Sequence, residues 1–425
     1  MTSRERVQAA LDHRTPDRVP IDFDATPVSG IHVSVVEQLR EHYGLKKEPV
    51  KMHEPYQCLG KVEDDLAEVI GIDVYAANGP STFFGFRNEN WKEWRTTWGQ
   101  DVLIPGEMNL TTDEKGDVYL YPEGDLKAPP SAKMPNNGYF FDTIVRQDPL
   151  PEDDADLKVE DNLEEFGPLT EETLAHVKAQ ALRNREREMY TISNVGGTGL
   201  GDIALVPAAF MKHPKGIRDI AEWYMSTVAR QDFVNEIFER QYEIALENLA
   251  RLNEYCGDLI DAIFVCGTDF GTQDSQFCSA DTFRTLYLPH YRKLNDWAHR
   301  NTKWKMFKHC CGSIPTFIPL FIEAGFDIIN PVQTSAKGMD PEFLKREFGK
   351  DITFWGGGVD TQKILPFGTP EEVRTEVLRK LEIFSPDGGF VFNAIHNVQA
   401  RSPIENVVAM IEAVKEFNGA GQATI

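Results

Sequence analysis

The sequence predicts an α/β protein, a (β/α)8 TIM barrel with an inserted β-hairpin region. From residue 170 onward, long helical patterns alternate with short apolar runs, as the crossover helices and parallel strands of such barrels do. Polar segments marked by glycine follow these runs, for example at 267–273 and 356–360. In a barrel these segments line one face, so residues distant in sequence are expected to converge there.

The individual elements follow from capping spacing and periodicity. Thr2 and Glu5 have the spacing of a capping box, which predicts a short opening helix. Further helices are predicted at about 33–43, 62–71, 170–188, 215–254, 280–300, 314–324, 340–348, 370–383 and 403–417. Apolar runs bounded by turn residues predict eight strands, at 17–23, 72–76, 189–194, 262–265, 305–307, 327–330, 352–355 and 390–392.

Residues 84–160 have a different pattern. Trp91, Trp94 and Trp98 precede alternating runs such as 117–121, with a turn signal at 113–116. These features predict one or two antiparallel hairpins inserted into a single barrel domain that spans 1–425. An acidic run at 151–156 is expected to be a solvated connector.

Composition and charge exclude several classes of function. The 425 residues carry a formal net charge of −23, which disfavours binding to nucleic acid or to anionic membranes. The chain has no apolar run of 18 residues, and its first 20 residues lack the apolar region of a signal peptide. Its six cysteines are too few and too irregular for a disulfide framework. We therefore expect a protein of the reduced cytoplasm.

The sequence KHCCG at 308–312 is the strongest chemical motif. At the end of a strand, residues i and i+2 point to the same side, so His309 and Cys311 can share one metal ion. Cys310 would point away into the core. His396, after the last strand, is the best remaining third ligand, and an open fourth position would make a catalytic zinc site. Two alternatives to a metal site remain. The two cysteines could be buried and inert, or they could form a redox dithiol, which is disfavoured because a disulfide between adjacent cysteines is strained.

Other polar positions are less specific. Asp269 and Asp360 follow different strands, and each is a candidate for acid/base catalysis, for orienting a histidine or for capping a helix. The glycine-rich stretch 196–201 lacks the spacing of a phosphate-binding loop, and we expect a flexible loop near the active face.

Several segments together resemble the uroporphyrinogen decarboxylase superfamily. These segments are residues 6–20, 271–273, 287–291, 354–357, 360–362 and 403–406. The resemblance is strongest from about 255 to 417. It implies a distorted (β/α)8 barrel and does not cover 84–160. True uroporphyrinogen decarboxylases hold substrate carboxylates with N-terminal arginines. The corresponding segment, 19–26, has none, which predicts a site without arginines. Asp24 or Asp73 would stand in for the aspartate of that branch.

The second branch of the superfamily contains zinc-dependent, corrinoid-linked methyltransferases with an H-x-C-G motif. Residues 309–312 match this motif, and His396 occupies the position of a later cysteine. The resemblance implies Zn²⁺ on His309, Cys311 and His396, with Asp269, Gln333 and Asp360 orienting the substrate or the ligands.

In that branch a methyl group moves between a small methylated substrate (a methyl ether, thiol or amine) and a corrinoid. The chain has no D-x-H-x-x-G segment, so the corrinoid would be carried by a partner protein. The alternatives are a metal-free carboxy-lyase, with uroporphyrinogen decarboxylase activity, and a barrel that binds a tetrapyrrole without converting it. The helix surface of such a barrel would accommodate a homodimer.

Overall fold

The computed structural model describes residues 1–422 and contains a curled parallel sheet surrounded by helices. Neighbouring strands of this sheet follow one another in the chain, as repeated βα units require. In spatial order, from the last strand to the first, they are Phe390–Val391, Thr353–Trp355, Ile328–Asn330, Lys305–His309, Ala262–Cys266, Tyr190–Ser193 and Val74–Ala76. These seven strands confirm seven of the eight predicted.

The predicted strand at 17–23 is wrong as a regular strand. Only Ile21 forms a β-bridge, with Phe392. Around it, the Asp22 N–H donates to the Phe392 carbonyl at 2.9 Å, and the Asp73 N–H donates to the Ile21 carbonyl at 2.8 Å. The segment therefore contacts both edges of the sheet without extending either ladder, since Pro20 has no N–H to donate. The result is a curled α/β sheet that is not a regularly closed eight-stranded barrel.

Most predicted helices are present, and local chemistry explains where they begin. Thr2 forms the capping box with Glu5, and Thr369 forms a second one with Glu372. The α-helices are Ser3–Leu11, Val33–His42, Asp64–Ile70, Glu171–Glu186, Ile220–Ala229, Gln231–Cys256, Ala280–Thr282, Leu288–Asn301, Ile318–Glu323, Pro341–Phe348, Ile364–Phe367, Pro370–Phe384 and Ile404–Gln422. Single 3-10 turns lie at Pro122–Gly124, Asp154–Asp156, Val159–Asn162 and Gly257–Leu259.

Two of the long predicted helices are interrupted. The pattern at 215–254 divides at Arg230, whose backbone is not helical and whose guanidinium bonds Asp154 and Glu222. The pattern at 280–300 contains a π-helical segment, Phe283–Tyr287, just before Pro289. Because proline lacks an N–H, the preceding turn loses its usual donor and widens.

The predicted β region at 84–160 is present but is divided between two sheets. A four-stranded antiparallel sheet contains Leu110–Thr112, Val118–Leu120, Ala132–Met134 and Asp142–Thr143. The hairpin Lys92–Arg95 and Asp101–Ile104 instead joins a five-stranded sheet with Ile31–His32, Val50–Glu54 and Leu59–Gly60. Its link to that sheet is the parallel pairing of 101–104 with 50–54, a contact that local pattern does not reveal.

An aromatic core fills the inside of the parallel sheet. The ring of Trp355 is fully buried, 5.3 Å from the ring centroid of Phe307 and 6.4 Å from that of Tyr190. Burying a side chain of this size contributes about 1.5–3 kcal/mol. This packing supports the carboxyl ends of the strands, where the polar residues of the next section lie.

Candidate metal centre

The strand Lys305–His309 places the KHCCG motif at the carboxyl end of the sheet. His309 is its last residue and pairs with Asn330 of the neighbouring strand. Cys310 is fully buried, and its Sγ accepts the N–H of Phe270 at 3.2 Å. His309 lines the cavity, and Cys311 places its Sγ beside the His309 ring, on the side away from Cys310, as alternation predicts.

The structure brings His309, Cys311 and His396 together. One ligand atom from each residue lies within 4.8 Å of the other two. Cys311 Sγ is 3.4 Å from His309 Nε2, and the two imidazole centroids are 5.3 Å apart. Zinc–nitrogen and zinc–sulfur bonds of about 2.0–2.3 Å in a tetrahedron put ligand atoms about 3.3–3.8 Å apart. The three side chains therefore fit a zinc ion after a small contraction.

Hydrogen bonds fix the orientation of the two rings. His309 Nδ1 donates to Asn330 Oδ1 at 2.7 Å, which leaves Nε2 as the free lone pair facing Cys311. His396 differs, because its Nδ1 accepts the N–H of Asn397 at 2.8 Å. That bond places the ring proton on Nε2, so ligation through Nε2 requires the other tautomer and loss of this bond.

His396 also has an unusual backbone. Its φ is +71°, a left-handed conformation that few residues other than glycine adopt. Such strain persists only where the surroundings enforce it, and it is concentrated at functional sites. Here the following residue, the buried Asn397, donates to Pro27 and Gln57, which ties the turn to the N-terminal part of the chain.

Burial controls the protonation of the three side chains. It lowers the pKa of His309 to about 4 and that of His396 to about 3, so both rings are neutral at pH 7 and can act as ligands. Burial raises the pKa of the Cys311 thiol, and the Asp269 carboxylate raises it further. A bound cation would reverse this shift by favouring the thiolate.

Asp269 and Gln333 hold the loop that contains Cys311. Asp269 Oδ1 accepts the Cys311 N–H at 2.6 Å and lies 3.8 Å from His309 Nε2. Gln333 Oε1 accepts the N–H of Gly312 at 2.8 Å. Burial raises the pKa of Asp269. Asp269 therefore contacts two candidate ligands directly, whereas Gln333 acts on the residue that follows Cys311.

Asp360 is placed differently. Its carboxylate accepts the N–H of Gln362 at 2.8 Å and closes a turn after the strand Thr353–Trp355. Unlike Asp269, it is not among the residues that line the cavity. The carboxylate closes this turn and does not cap the next helix, Ile364–Phe367, which begins after Lys363 without a side-chain cap.

Sequence reasoning missed two residues that support the centre. Asn330, the partner of His309, was seen only as part of a polar segment after a strand. Lys308 is fully buried, and its ammonium group donates to the carbonyls of Thr268 and His309. Alternation around KHCCG could have indicated that Lys308 points away from the cavity, but its contact with Thr268, beyond the end of the strand Ala262–Cys266, is long-range.

A cavity of about 1130 Å³ opens beside His309 and His396. The glycine-rich loop contributes Gly197, Thr198 and Gly199 to its wall, and Arg87 to Trp91 contribute from the inserted region. The prediction of a site without arginines is wrong, since three arginines line the cavity: Arg87, Arg183 and Arg187. They come from segments outside 19–26, and Arg87 and Arg187 pair with the carboxylates of Glu172 and Asp64.

The two aspartates proposed to mimic a decarboxylase residue have different environments. Asp73 is fully buried, is not part of the cavity wall, and is paired with Arg6 at 2.7 Å and Arg18 at 2.8 Å. It is a structural ion pair at the opposite end of the sheet. Asp24 lines the cavity and contacts His53.

Comparison with known proteins agrees with this architecture. The profile of the uroporphyrinogen decarboxylase (URO-D) family matches residues 157–417, more than half of the chain. The chain therefore belongs to the URO-D family. The match begins beyond most of the inserted region at 84–160.

Among solved structures, a methyltransferase from Methanosarcina mazei has a similar fold, with a TM-score of 0.52 and 13% sequence identity. The alignment covers 98% of this chain and 99% of that protein. No curated protein sequence matches the chain.

Two further observations concern the sequence predictions. In the part of the chain that the structure describes, the six cysteines are free thiols. Among residues 1–422, no helix has the length and apolar character needed to cross a bilayer.

Proposed function

We propose that the protein is a zinc-dependent methyltransferase that moves a methyl group between a small methylated substrate and the corrinoid of a separate protein. The observation that carries the proposal is the cluster of His309, Cys311 and His396, two of which line a large cavity, His309 and His396. Three ligands with an open fourth position are typical of catalytic zinc. Membership of the URO-D family and the fold shared with a methyltransferase support the same assignment.

Each side chain of the centre has a defined task in this proposal. His309 would ligate the zinc through Nε2 while Asn330 holds the ring. Cys311 would ligate through Sγ. His396 would ligate after its ring releases the Asn397 N–H. Zinc held there would supply Lewis-acid chemistry, which lowers the pKa of a thiol or of the leaving heteroatom of a methyl ether or amine.

The surrounding residues position these ligands. Asp269 and Gln333 fix the backbone N–H groups of Cys311 and Gly312, so the thiol keeps its place when substrate enters. We assign both as positioning residues and Asp360 as a turn-forming residue. Residues 84–160 are, in this proposal, an insertion in one barrel domain, and their first part shapes the cavity wall.

The corrinoid must come from a partner because the chain lacks a D-x-H-x-x-G segment. A corrinoid bound in the cavity would supply the cobalt that exchanges the methyl group with the substrate heteroatom. The large volume of the cavity supports the entry of a group attached to another protein.

The test is metal content, measured by mass spectrometry on protein purified without chelator. We expect about one zinc per chain in the wild type, and loss of the metal in His309→Ala, Cys311→Ala and His396→Ala. Cys310→Ala is the matched control: it removes the adjacent thiol, which faces the core, and should keep the zinc. A folded wild type without zinc would refute this mechanism and favour a metal-free lyase.

A further inference from the structure

A second polar group lies in the same cavity, formed by His53 and Asp24. His53 Nε2 is 2.7 Å from Asp24 Oδ1. Both residues line the cavity, and neither belongs to the His309, Cys311 and His396 centre. A histidine oriented by a carboxylate is an arrangement that proteins use to hold the ring in one functional orientation.

Two local irregularities bring these side chains together. His53 lies at a β-bulge, where the register of strand Val50–Glu54 shifts against Leu59–Gly60. Asp24 has a φ of +86°, in the left-handed region. Bulges redirect side chains beside active sites, and left-handed backbone is costly for residues other than glycine. Together the bulge and the left-handed residue set the two side chains face to face at the cavity wall.

The pair is rigidly held. Asp24 Oδ2 accepts the N–H of Val62 at 3.0 Å, which leaves Oδ1 for the imidazole. The His53 carbonyl accepts the side-chain amide of Asn88 at 2.9 Å. Within residues 1–422, His53 Nε2 and Asp24 Oδ1 face each other as an ion pair without the alignment of a hydrogen bond, and no hydrogen bond is formed at His53 Nδ1. Nδ1 is therefore the ring atom available to a ligand.

The charges around His53 favour a protonated ring. Burial alone would lower the pKa of His53, but the Asp24 carboxylate outweighs burial, so the pKa is raised. The Glu54 carboxylate also raises this pKa, and the Lys61 ammonium group lowers it. The carboxylate of Glu54 is occupied by the N–H groups of Tyr56 and Gln57 at 3.1 and 2.8 Å. An imidazolium in this place presents an N–H donor to the cavity.

Aromatic rings form the adjacent wall. Tyr56 and Phe83 line the cavity with their centroids 5.1 Å apart, and Phe23 and Trp91 also contribute. Such a wall suits a flat apolar group. Asn397 connects this region to the metal centre, because it contacts His396 on one side and Gln57 on the other.

We propose that His53, positioned by Asp24, binds the carboxylate of an aromatic substrate at a second point in the cavity. The substrate would thus be fixed at its carboxylate by His53 while its methylated heteroatom faces His309 and Cys311. The position of the methylated heteroatom rests on the proposed function, whereas the contact of the carboxylate with His53 does not.

Ligand binding tests the proposal without zinc or a corrinoid protein. Benzoate serves as the probe and benzamide as its neutral counterpart, both titrated by calorimetry into metal-free and zinc-loaded protein. We expect benzoate to bind the wild type, with affinity reduced at least about tenfold in His53→Gln and Asp24→Asn, because a charge-assisted hydrogen bond is lost. Asn tolerates the left-handed backbone, so Asp24→Asn keeps the fold even if His53→Gln does not.

The matched control is His176→Gln, which changes another histidine of the cavity wall that has no ion pair with a carboxylate. Its benzoate affinity should stay within about twofold of the wild type. Benzoate affinity should also fall as the pH rises above neutrality in the wild type and stay level in His53→Gln. Absence of benzoate binding by the wild type, or equal losses for benzoate and benzamide in the two variants, would overturn the assignment. Either result would leave the zinc measurement unaffected.

Discussion

His309 and Asn330 are joined by a hydrogen bond of 2.7 Å between ring Nδ1 and side-chain Oδ1. The bond crosses between two adjacent strands at paired positions of the sheet. It decides which nitrogen of His309 faces the cavity, and so it links the register of the sheet to the chemistry of the candidate metal centre.

Replacing Asn330 by Ala should weaken zinc binding about 10–100-fold, because the His309 ring loses the partner that fixes its tautomer. Competition with a chromophoric chelator measures the affinity. Asn295→Ala is the control, since Asn295 is also buried and donates to a carbonyl, but away from the cavity. Equal zinc affinity in Asn330→Ala and the wild type would contradict the role given to this bond.

Gly312→Ala should displace the loop that contains Cys311. Gly312 has a φ of +92°, and a Cβ there would lie 2.4 Å from the backbone carbon of Gly271. We expect zinc content to fall below half of the wild-type value. Gly44→Ala is the control, because Gly44 also has a positive φ but open space around it. It should lower the free energy of unfolding by about 1 kcal/mol and keep its zinc. Full zinc content in Gly312→Ala would show that the loop tolerates the shift.

Asp73→Ala should be among the most destabilising single changes. Asp73 is fully buried and balances the guanidinium groups of Arg6 and Arg18. Removing it leaves two charges in or near the interior, at a cost of about 3–5 kcal/mol in the free energy of unfolding. Denaturant unfolding measures the loss. Asp101→Ala breaks the exposed pair with Arg95 and should cost less than about 1 kcal/mol. Similar losses of the free energy of unfolding in both variants would refute the distinction between the buried and the exposed ion pair.

Stability should depend on pH through His32. Burial lowers its pKa to about 4, whereas the unfolded chain has an ordinary histidine pKa of about 6.5. Between these values the unfolded state binds more protons, so stability is complete above pH 6.5 and falls as the pH drops toward 4, by about 3 kcal/mol in all. His309 and His396 contribute in the same direction.

The difference between wild type and His32→Asn therefore isolates His32. His32 bonds the Tyr139 carbonyl and packs against Trp98, so tryptophan fluorescence during urea unfolding at several pH values reports the change. The variant should lose part of the pH dependence. Parallel pH profiles for the two proteins would exclude the effect.

Much of the parallel sheet was predictable from sequence, because each strand and its helix form a local pattern. The irregular segment around Ile21 was not predictable, since its apolar alternation resembles that of a strand. In the structure, Pro20 has no N–H to donate, and the Asp22 side chain turns inward to accept the Trp355 indole N–H at 2.9 Å. The alternation of His309, Cys310 and Cys311 also followed from local geometry. The pairing of 101–104 with 50–54 depends on long-range contacts and left no local signal.

The candidate site was predictable to a similar extent. Strand ends identify His309, Cys311 and His396 as neighbours in space, although sequence alone does not determine the tautomer of His396. The pair of His53 and Asp24 could not be found, because it results from a bulge in one strand and a left-handed residue in an irregular segment. The position of Asp360 was also not predictable, since a residue after a strand can close a turn without lining the cavity.

The contact between the first and last segments of the sheet has a consequence for how the chain folds. The side-chain amide of Asn393 donates to the Asp22 carbonyl, a contact between residues 371 positions apart. During synthesis the segment around Asp22 therefore lacks this contact until Asn393 has been made. Contacts of such long sequence separation slow folding. His396 lies just beyond this contact, so the three candidate ligands assemble only at the last stage, and a stalled or shortened chain would expose a sheet edge without a complete centre.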